Sequence, residues 1–493
     1  MRDWANPGVA SRVVVSRSAR PEYGPLAEPV AAPELSGRCA TTVAQAALRD
    51  LFVAWQLDGQ RSGTPEWNPL GDLIPPGARV VLKPNWVLHH NQSGAGLDCL
   101  VTHASVIEAV LEYVALTRPS EVVIGDAPLQ SCDFQALLGQ CGIESLAQRF
   151  GDRGLNLRIV DFRRTVLHGR RLGHARSENC RELADYVLFD LAKESLLEPI
   201  SADARKFRVT VYNPDLLHRT HAAGRHQYLI AREVIEADVV INLPKLKCHK
   251  KTCITGALKN LVGINGNKEF LPHHRKGGAG GGGDCYPGNS WLKRRAEDLL
   301  DAANRLPPGA FQRLLGQSAE LAARGARILG ADANLEGSWH GNDTIWRTCL
   351  DLHRALLYGR PDGTLDSAPR RLVITIADAI VAGEGEGPLE STPAPAGFLS
   401  GALNPAAAEW VHARLMGFDP ERIPLVREAF AAFSYPLATF RPADIRVRMG
   451  GAELGADEIL PLDGRVFRPP SGWAGHCELG RSPSAAVGAR GRA

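Results

Sequence analysis

The sequence predicts an α/β protein, a mostly parallel mixed sheet with helices on both faces. Two observations predict it. Short apolar runs alternate with longer segments whose apolar residues recur at three and four, and most of the apolar runs end in a polar cluster. A strand covered on both faces reads as continuous Val, Ile and Leu, and helical crossovers let neighbouring strands run parallel. With 493 residues, 44% of them hydrophobic, the chain can bury one large core or two coupled subdomains.

In chain order, RVVVSR (12–17) reads as the first strand and CATTVAQAALRDLFVAWQL (39–57) as a helix. ARVVLKP (78–84) is a second strand, followed by the helix THASVIEAVLEYVALT with Thr102 placed to cap it. EVVIGDAP (121–128) is a third strand, and Asp133 is placed to cap the helix FQALLGQCGIESLAQRF. From about 155 to 235 the pattern is irregular, with LRIVDFR and DYVLFDL as strands, some antiparallel and in no readable order. ADVVINLPKLK restores a buried strand and TGALKNLVG (255–263) a helix. Gly277 to Gly283 reads as a mobile loop. Residues 290–328 and 342–358 read as mostly helical, 371–380 as a strand with a polar end, and AAAEWVHARLMG as a helix. The expected layout is a flexible N-terminus over 1–11, one α/β domain over 12–470 and a disordered Gly-, Ser-, Ala- and Arg-rich tail over 471–493.

Lys and Arg number 57 against 54 Asp and Glu. No global field draws the chain to nucleic acid or anionic lipid, so neither is expected as a partner, and protein partners are not legible. The opening residues lack an apolar run of signal-peptide length, and no run approaches the roughly 20 residues that span a bilayer. Ten cysteines scattered from Cys39 to Cys477 suit a reducing compartment. The expected location is the cytoplasm.

Ligands of open α/β sheets bind outside the carboxyl ends of the strands. Those ends carry Lys83, Asn85 and Trp86, then Asp126, then Lys245, Lys247, Cys248 and His249, then Asp378. The stretch from Asn242 to His274 is densest, with Asn242, Lys245, Lys247, His249, Lys250, Lys251, Lys259, Asn260, Lys268, His273 and His274. A loop of this kind opening onto a helix at Thr252 to Gly256 would offer ammonium groups and backbone donors to phosphate or carboxylate. Lys83, Asn85, Asn242, Lys247, Lys259, Asn260, Lys268, His273 and Asn342 are therefore candidate ligand-binding residues, and His249, Lys245 and Asp126 candidate catalytic ones. Asp126, Asp343, Asp378 and Glu384 are candidate oxygen ligands for Mg²⁺ or Mn²⁺. A structural account competes, in which Asn342 caps the following helix, Asp343 pairs with Arg347 and Glu384 and Glu386 are loop charges. Cys248, Cys253 and Cys285 are the alternative ligands of an iron–sulfur cluster, although their spacing does not match C-x2-C-x2-C. His103 and His221 read as structural or exposed, and Trp86 and Trp339 as rim residues that pack or stack.

The blocks KPNW (83–86), GDAP (125–128), NLPKLKCH (242–249), TGALKNLVG (255–263), DAIVAGEGEGP (378–388) and LMGFDP (415–420) are familiar together. In that order, from about residue 80 to 425, the chain resembles the domain of unknown function 362 family. The resemblance implies an α/β fold and no particular reaction. Some members carry ferredoxin-like cysteine motifs beside this domain, which implies iron–sulfur chemistry for them; this chain lacks those motifs. It also departs from the family pattern at Ala104, where a proline is usual, and at Glu409, where an aspartate is usual. The segment 337–354 looks like a subgroup block, which implies that Asn342 and Asp343 face the site.

The leading expectation is an enzyme acting on a phosphorylated or carboxylated small molecule. Lys83, Lys245, Lys247 and Lys259 neutralise the anion, Asp126 and Asp378 place a divalent metal, and His249 is the general acid or base. The alternatives are a redox protein and a non-catalytic module that holds an anionic metabolite.

Overall fold

Along the strands, successive apolar side chains fall alternately into two separate cores, as the period of two in a strand requires. Val80, Leu82, Val122, Ile124, Val239 and Ile241 enter one; Val81, Val123, Val240 and Val373 enter the other. The first core is closed by helices Val43–Trp55, Ala104–Leu116, Phe134–Cys141 and Ile143–Asp152. The second is closed by Ile345–Tyr358, Pro405–Leu415 and the turn Ala257–Asn260. The chain is therefore an α/β protein with helices on both faces of one large sheet. The computed structural model describes residues 6–35, 39–168, 175–179 and 181–480.

The sheet has eleven strands. Its parallel half runs in the order Leu157–Asp161, Glu121–Asp126, Arg79–Pro84, Val239–Leu243, Leu372–Glu386. Numbered by sequence this is 3-2-1-4-5, so the order reverses between Arg79–Pro84 and Val239–Leu243, where doubly wound sheets open a crevice. Beyond Leu372–Glu386 the sheet continues through Glu390–Ala402, Arg12–Arg17, Arg446–Met449 and Ala452–Gly455. The irregular segment is resolved as Leu157–Asp161 at the edge of the main sheet and Tyr186–Asp190 antiparallel to Arg225–Ala231 in a small sheet of its own.

Local chemistry sets several boundaries differently from expectation. Helix Val43–Trp55 begins later than expected because Cys39–Thr42 is extended, and Thr42 and Gln45 close a capping box. Thr102 does not cap the next helix. Its hydroxyl donates to Leu243 O at 2.6 Å and accepts from Asn85 N at 2.7 Å, while His103 is the cap. Asp133 does cap, but its helix breaks at Gly142, whose φ is 67°. The expected helical stretch 290–328 is a pair, Trp291–Arg305 and Ala310–Ile328.

The larger differences lie around the predicted site. Residues 245–255 are a hairpin, Lys245–His249 against Cys253–Thr255, and not a loop opening onto a helix. Strand 371–380 extends to Glu386 because its far half pairs with that hairpin and with Glu390–Ala402. The Gly-rich stretch is a folded turn, in which Gly283 N and Gly281 N both donate to Gly278 O. Pro7–Ala10 is a short helical turn, capped by Asn6, with Ala10 buried. Residues 471–480 are packed as well: Trp473 and Cys477 are buried, and Trp473 Nε1 donates to Lys250 O at 2.8 Å over the hairpin. The rest of the expected terminal segments, 1–5 and 481–493, lies outside the described residues. Among the described residues no helix is long and apolar enough to cross a membrane.

Gly263 shows how tightly the crevice is built. Its carbonyl accepts from Ala127 N at 2.8 Å, and a Cβ there would overlap Asp126 Oδ1 and crowd Lys83 Nζ at 2.7 Å. Gly263→Ala is expected to lower unfolding stability by about 1–3 kcal/mol, measured by urea denaturation; an unchanged midpoint would show that the ion pair beneath it yields freely.

Candidate functional site

Lys83 and Asn242 are register partners on the two strands flanking the reversal, so the polar ends of these strands meet side by side. Lys83 is fully buried, and its ammonium lies 2.7 Å from Asp126 Oδ1 and also donates to Pro84 O and Asn260 Oδ1. The other Asp126 oxygen accepts from Trp86 N at 2.7 Å. Burial favours the neutral forms of both partners, lowering Lys83 and raising Asp126, while their mutual attraction opposes it. Asn242 is a strut. Its amide donates to Ala257 O and its oxygen accepts from Asn260 Nδ2, which in turn reaches Lys83 O.

The hairpin strand K-L-K-C-H alternates. Leu246 and Cys248 enter the apolar core, which leaves Lys245, Lys247 and His249 together on the opposite side. Lys245 forms a buried pair with Asp378 at 2.6 Å and donates to Tyr23 Oη. Tyr23 donates to Asp378 at 2.5 Å and stacks on the His103 ring at 3.7 Å. Lys247, also fully buried, has among the described residues only the neutral acceptors Asn85 Oδ1 and Leu100 O. Burial, with Lys245 nearby, pushes its ammonium well below the usual range.

Past the hairpin lie Lys259 and Lys268, neither with a carboxylate in ion-pair contact among the described residues, though Asp126 acts on both from further away. Neither the Lys259 nor the Lys268 ammonium has a hydrogen bond or ion pair among the described residues. Lys268 is pushed down to about 8, by burial first and then by Lys259. His249 and His273 are both held well below the usual imidazole range, by burial first and then by Lys251 and Lys259 in each case. Lys251 itself donates to Glu336 O. Backbone groups set the two tautomers. His249 Nδ1 accepts from Lys251 N at 3.0 Å, so its proton is on Nε2; His273 Nδ1 donates to Leu271 O at 2.6 Å, so its Nε2 carries the lone pair. The chain therefore presents one imidazole as a donor and one as an acceptor among ammonium groups.

The other predicted residues fall elsewhere. Asn342 spends its amide on His273 O and Gly337 O and its oxygen on Thr344 N and Ile345 N, so it both steadies the helix start and holds the His273 backbone. The four carboxylates expected to share a metal do not meet. Asp126 belongs to Lys83, Asp378 to Lys245, Asp343 to Arg347 at 3.0 Å, and Glu384 to Arg465 at 3.1 Å. Asp343 and Arg347, with Asn342, line an open cleft of about 710 Å³ whose other charges include Arg354, Arg427 and Glu194; none of the candidate lysines reaches it. Cys248 and Cys253 lie beside Cys477, not Cys285, and burial pushes both thiols well above their usual range. Cys285 has His274 and Glu297 as neighbours instead. His221 is structural, wedged against His226 and Phe270 O. Trp86 and Trp339 pack, with Trp339 Nε1 bonded to Asp284 O.

Sequence reasoning missed Tyr23 and set His103 aside. His103 had a signal, a place just after the buried Thr102 near a strand-end rim, whereas Tyr23 lies in an irregular loop and had none.

The family model for a domain of unknown function (DUF362) matches residues 80–189 and 190–414. No curated protein matches the chain. Among solved structures, a protein from Thermotoga maritima is similar at 12% identity and a TM-score of 0.28, over 64% of this chain; the chain spans about half, 49%, of that protein's length.

Replacing Lys83 by Met would leave a buried carboxylate alone, and such a loss typically destabilises by about 3–5 kcal/mol. Lys83→Met is expected to show a loss of this size in urea unfolding, and Lys83→Met with Asp126→Asn to recover much of it. Equal stability of the single and double variants would mean that Asp126 finds another partner.

Proposed function

The chain belongs to the DUF362 family, and on that premise we propose that it is an enzyme acting on a phosphorylated or carboxylated small molecule held by Lys259 and Lys268. The carrying observation is that two ammonium groups with no carboxylate in ion-pair contact among the described residues stand within electrostatic reach of each other and of two imidazoles, while Asp126, the carboxylate that acts on both, is itself paired with Lys83. Protein carboxylates usually neutralise buried cations. Here the neutralising charge is left to a ligand.

The tautomers support a division of labour. His249, with its proton on Nε2, donates a hydrogen bond to the bound anion. His273, with a free Nε2 lone pair, is the general base, and the anion cancels repulsion from Lys251, Lys259 and Lys268 that otherwise opposes its protonation. This moves the proton-transfer role from His249, where the sequence suggested it, to His273. Mg²⁺ or Mn²⁺ on Asp126, Asp343, Asp378 and Glu384 is not part of the proposal, because each carboxylate is already held by a protein cation.

Calorimetry with sulfate and inorganic phosphate tests the binding half. Lys259→Ala and Lys268→Ala are each expected to weaken binding about tenfold, the worth of one charged hydrogen bond. Affinities equal to wild type in both variants would sink the reading.

Sulfate does not titrate near neutrality, so its pH profile reports on the protein. The Lys268 ammonium is charged below about 8 and loses its proton as pH rises through that value, so sulfate affinity is expected to fall above it. Lys268→Gln is expected to flatten that limb, and a limb that persists belongs to another group.

Turnover on a panel of phosphorylated and carboxylated metabolites tests catalysis. His273→Ala is expected to lower kcat by roughly 10²–10⁴, while His249→Gln mainly raises KM. Tight binding with no turnover on any member would instead favour a module that sequesters the anion.

A further inference from the structure

Away from the lysine group, the Gly-rich turn brings three ligand-type side chains to one point. His274, Cys285 and Glu297 place one nitrogen, one sulfur and one oxygen within 4.8 Å of one another. They come from three elements: the short strand His274–Arg275, the return of the turn, and helix Trp291–Arg305. Backbone bonds lock them together. Cys285 N donates to Gly277 O at 3.0 Å, and Gly277 N donates to both Glu297 oxygens at 3.0 and 3.1 Å.

Two further observations point to a ligand. His274 is 4% exposed, and its Nδ1 is buried with no hydrogen-bond partner among the described residues; leaving such a nitrogen unpaired is destabilising unless something binds it. A cavity of about 110 Å³ abuts all three side chains, walled by Leu300, Gly316 and Ala319. In addition, Glu336 N donates to Cys285 Sγ at 3.2 Å, the kind of outer bond that steadies a metal-bound thiolate.

We propose that His274, Cys285 and Glu297 bind one divalent ion of the zinc class, with the fourth coordination position open to this cavity. Sulfur, imidazole nitrogen and carboxylate oxygen together suit a borderline-soft ion; Mg²⁺ and Ca²⁺ prefer oxygen alone, and a single cysteine cannot hold an iron–sulfur cluster. Zinc bonds of about 2.0–2.3 Å in a tetrahedron put ligand atoms about 3.3–3.6 Å apart, so binding draws the three side chains in from a separation of at most 4.8 Å. Binding displaces the Cys285 thiol proton to solvent and leaves a thiolate ligand. Three protein ligands and an open position fit an ion that keeps an exchangeable water.

The test uses the full chain, dialysed with Zn²⁺ for metal analysis and titrated with Co²⁺ for absorption. The expected result is one zinc per chain and a thiolate-to-cobalt charge-transfer band. Cys285→Ser is expected to abolish the band, and Cys253→Ser to leave it intact. Glu297→Gln, a milder change should Cys285→Ser fail to fold, is expected to weaken Zn²⁺ binding by at least the roughly 10–100-fold seen for outer-shell losses. Substoichiometric zinc, no thiolate band in the wild-type chain, a band that survives Cys285→Ser, or Zn²⁺ affinity unchanged in Glu297→Gln would each overturn the assignment.

Discussion

Everything around the crevice depends on burying charge where the sheet reverses its strand order. Lys83 is fully buried and reaches Asp126 across the end of the neighbouring strand. Two bare charges in that position would be strongly unfavourable, so the surroundings are committed to satisfying them: the Trp86 amide, the Asn260 side chain and the Pro84 carbonyl all point inward. Asn242 and Asn260 then tie this pair to the turn Ala257–Asn260, which carries Lys259. The placement of Lys259 follows from how the paired ammonium is held.

A second buried pair, Lys245 with Asp378, repeats the solution nearby, and Lys247 has only neutral acceptors among the described residues. The lysines here therefore differ in their partners: Lys83 and Lys245 have carboxylates, Lys247 has neutral acceptors, and the Lys259 and Lys268 ammonium groups have no ion pair among the described residues. Sequence spacing cannot separate them, because the distinction lies in where Asp126 and Asp378 arrive from.

The parallel sheet was legible, since Val, Ile and Leu runs such as VVINL and LVITIA are covered on both faces and say so in composition. The lysine-rich strand ends were legible for the same reason. The hairpin was not, although K-L-K-C-H alternates with period two, because its charges resemble a solvated loop when the partner strand is unknown. The expected carboxylate cluster failed through long-range pairing: Asp378 and Glu384 share a strand yet face different cations. The glycines from 277 to 283 suggested mobility, whereas they permit backbone approaches that a side chain would block; a Cβ on Gly283 would strike Gly277 O.

Trp473 follows Lys250 by 223 residues, yet its indole closes over the hairpin that carries Lys245, Lys247 and His249. Arg468 and Ser471 amides fasten the same segment to Glu384 and Glu386. A chain emerging from a ribosome therefore displays its lysine hairpin long before the covering segment is made. A message truncated upstream of this segment would yield a chain without the indole on Lys250 O and without the amides that hold Glu384 and Glu386.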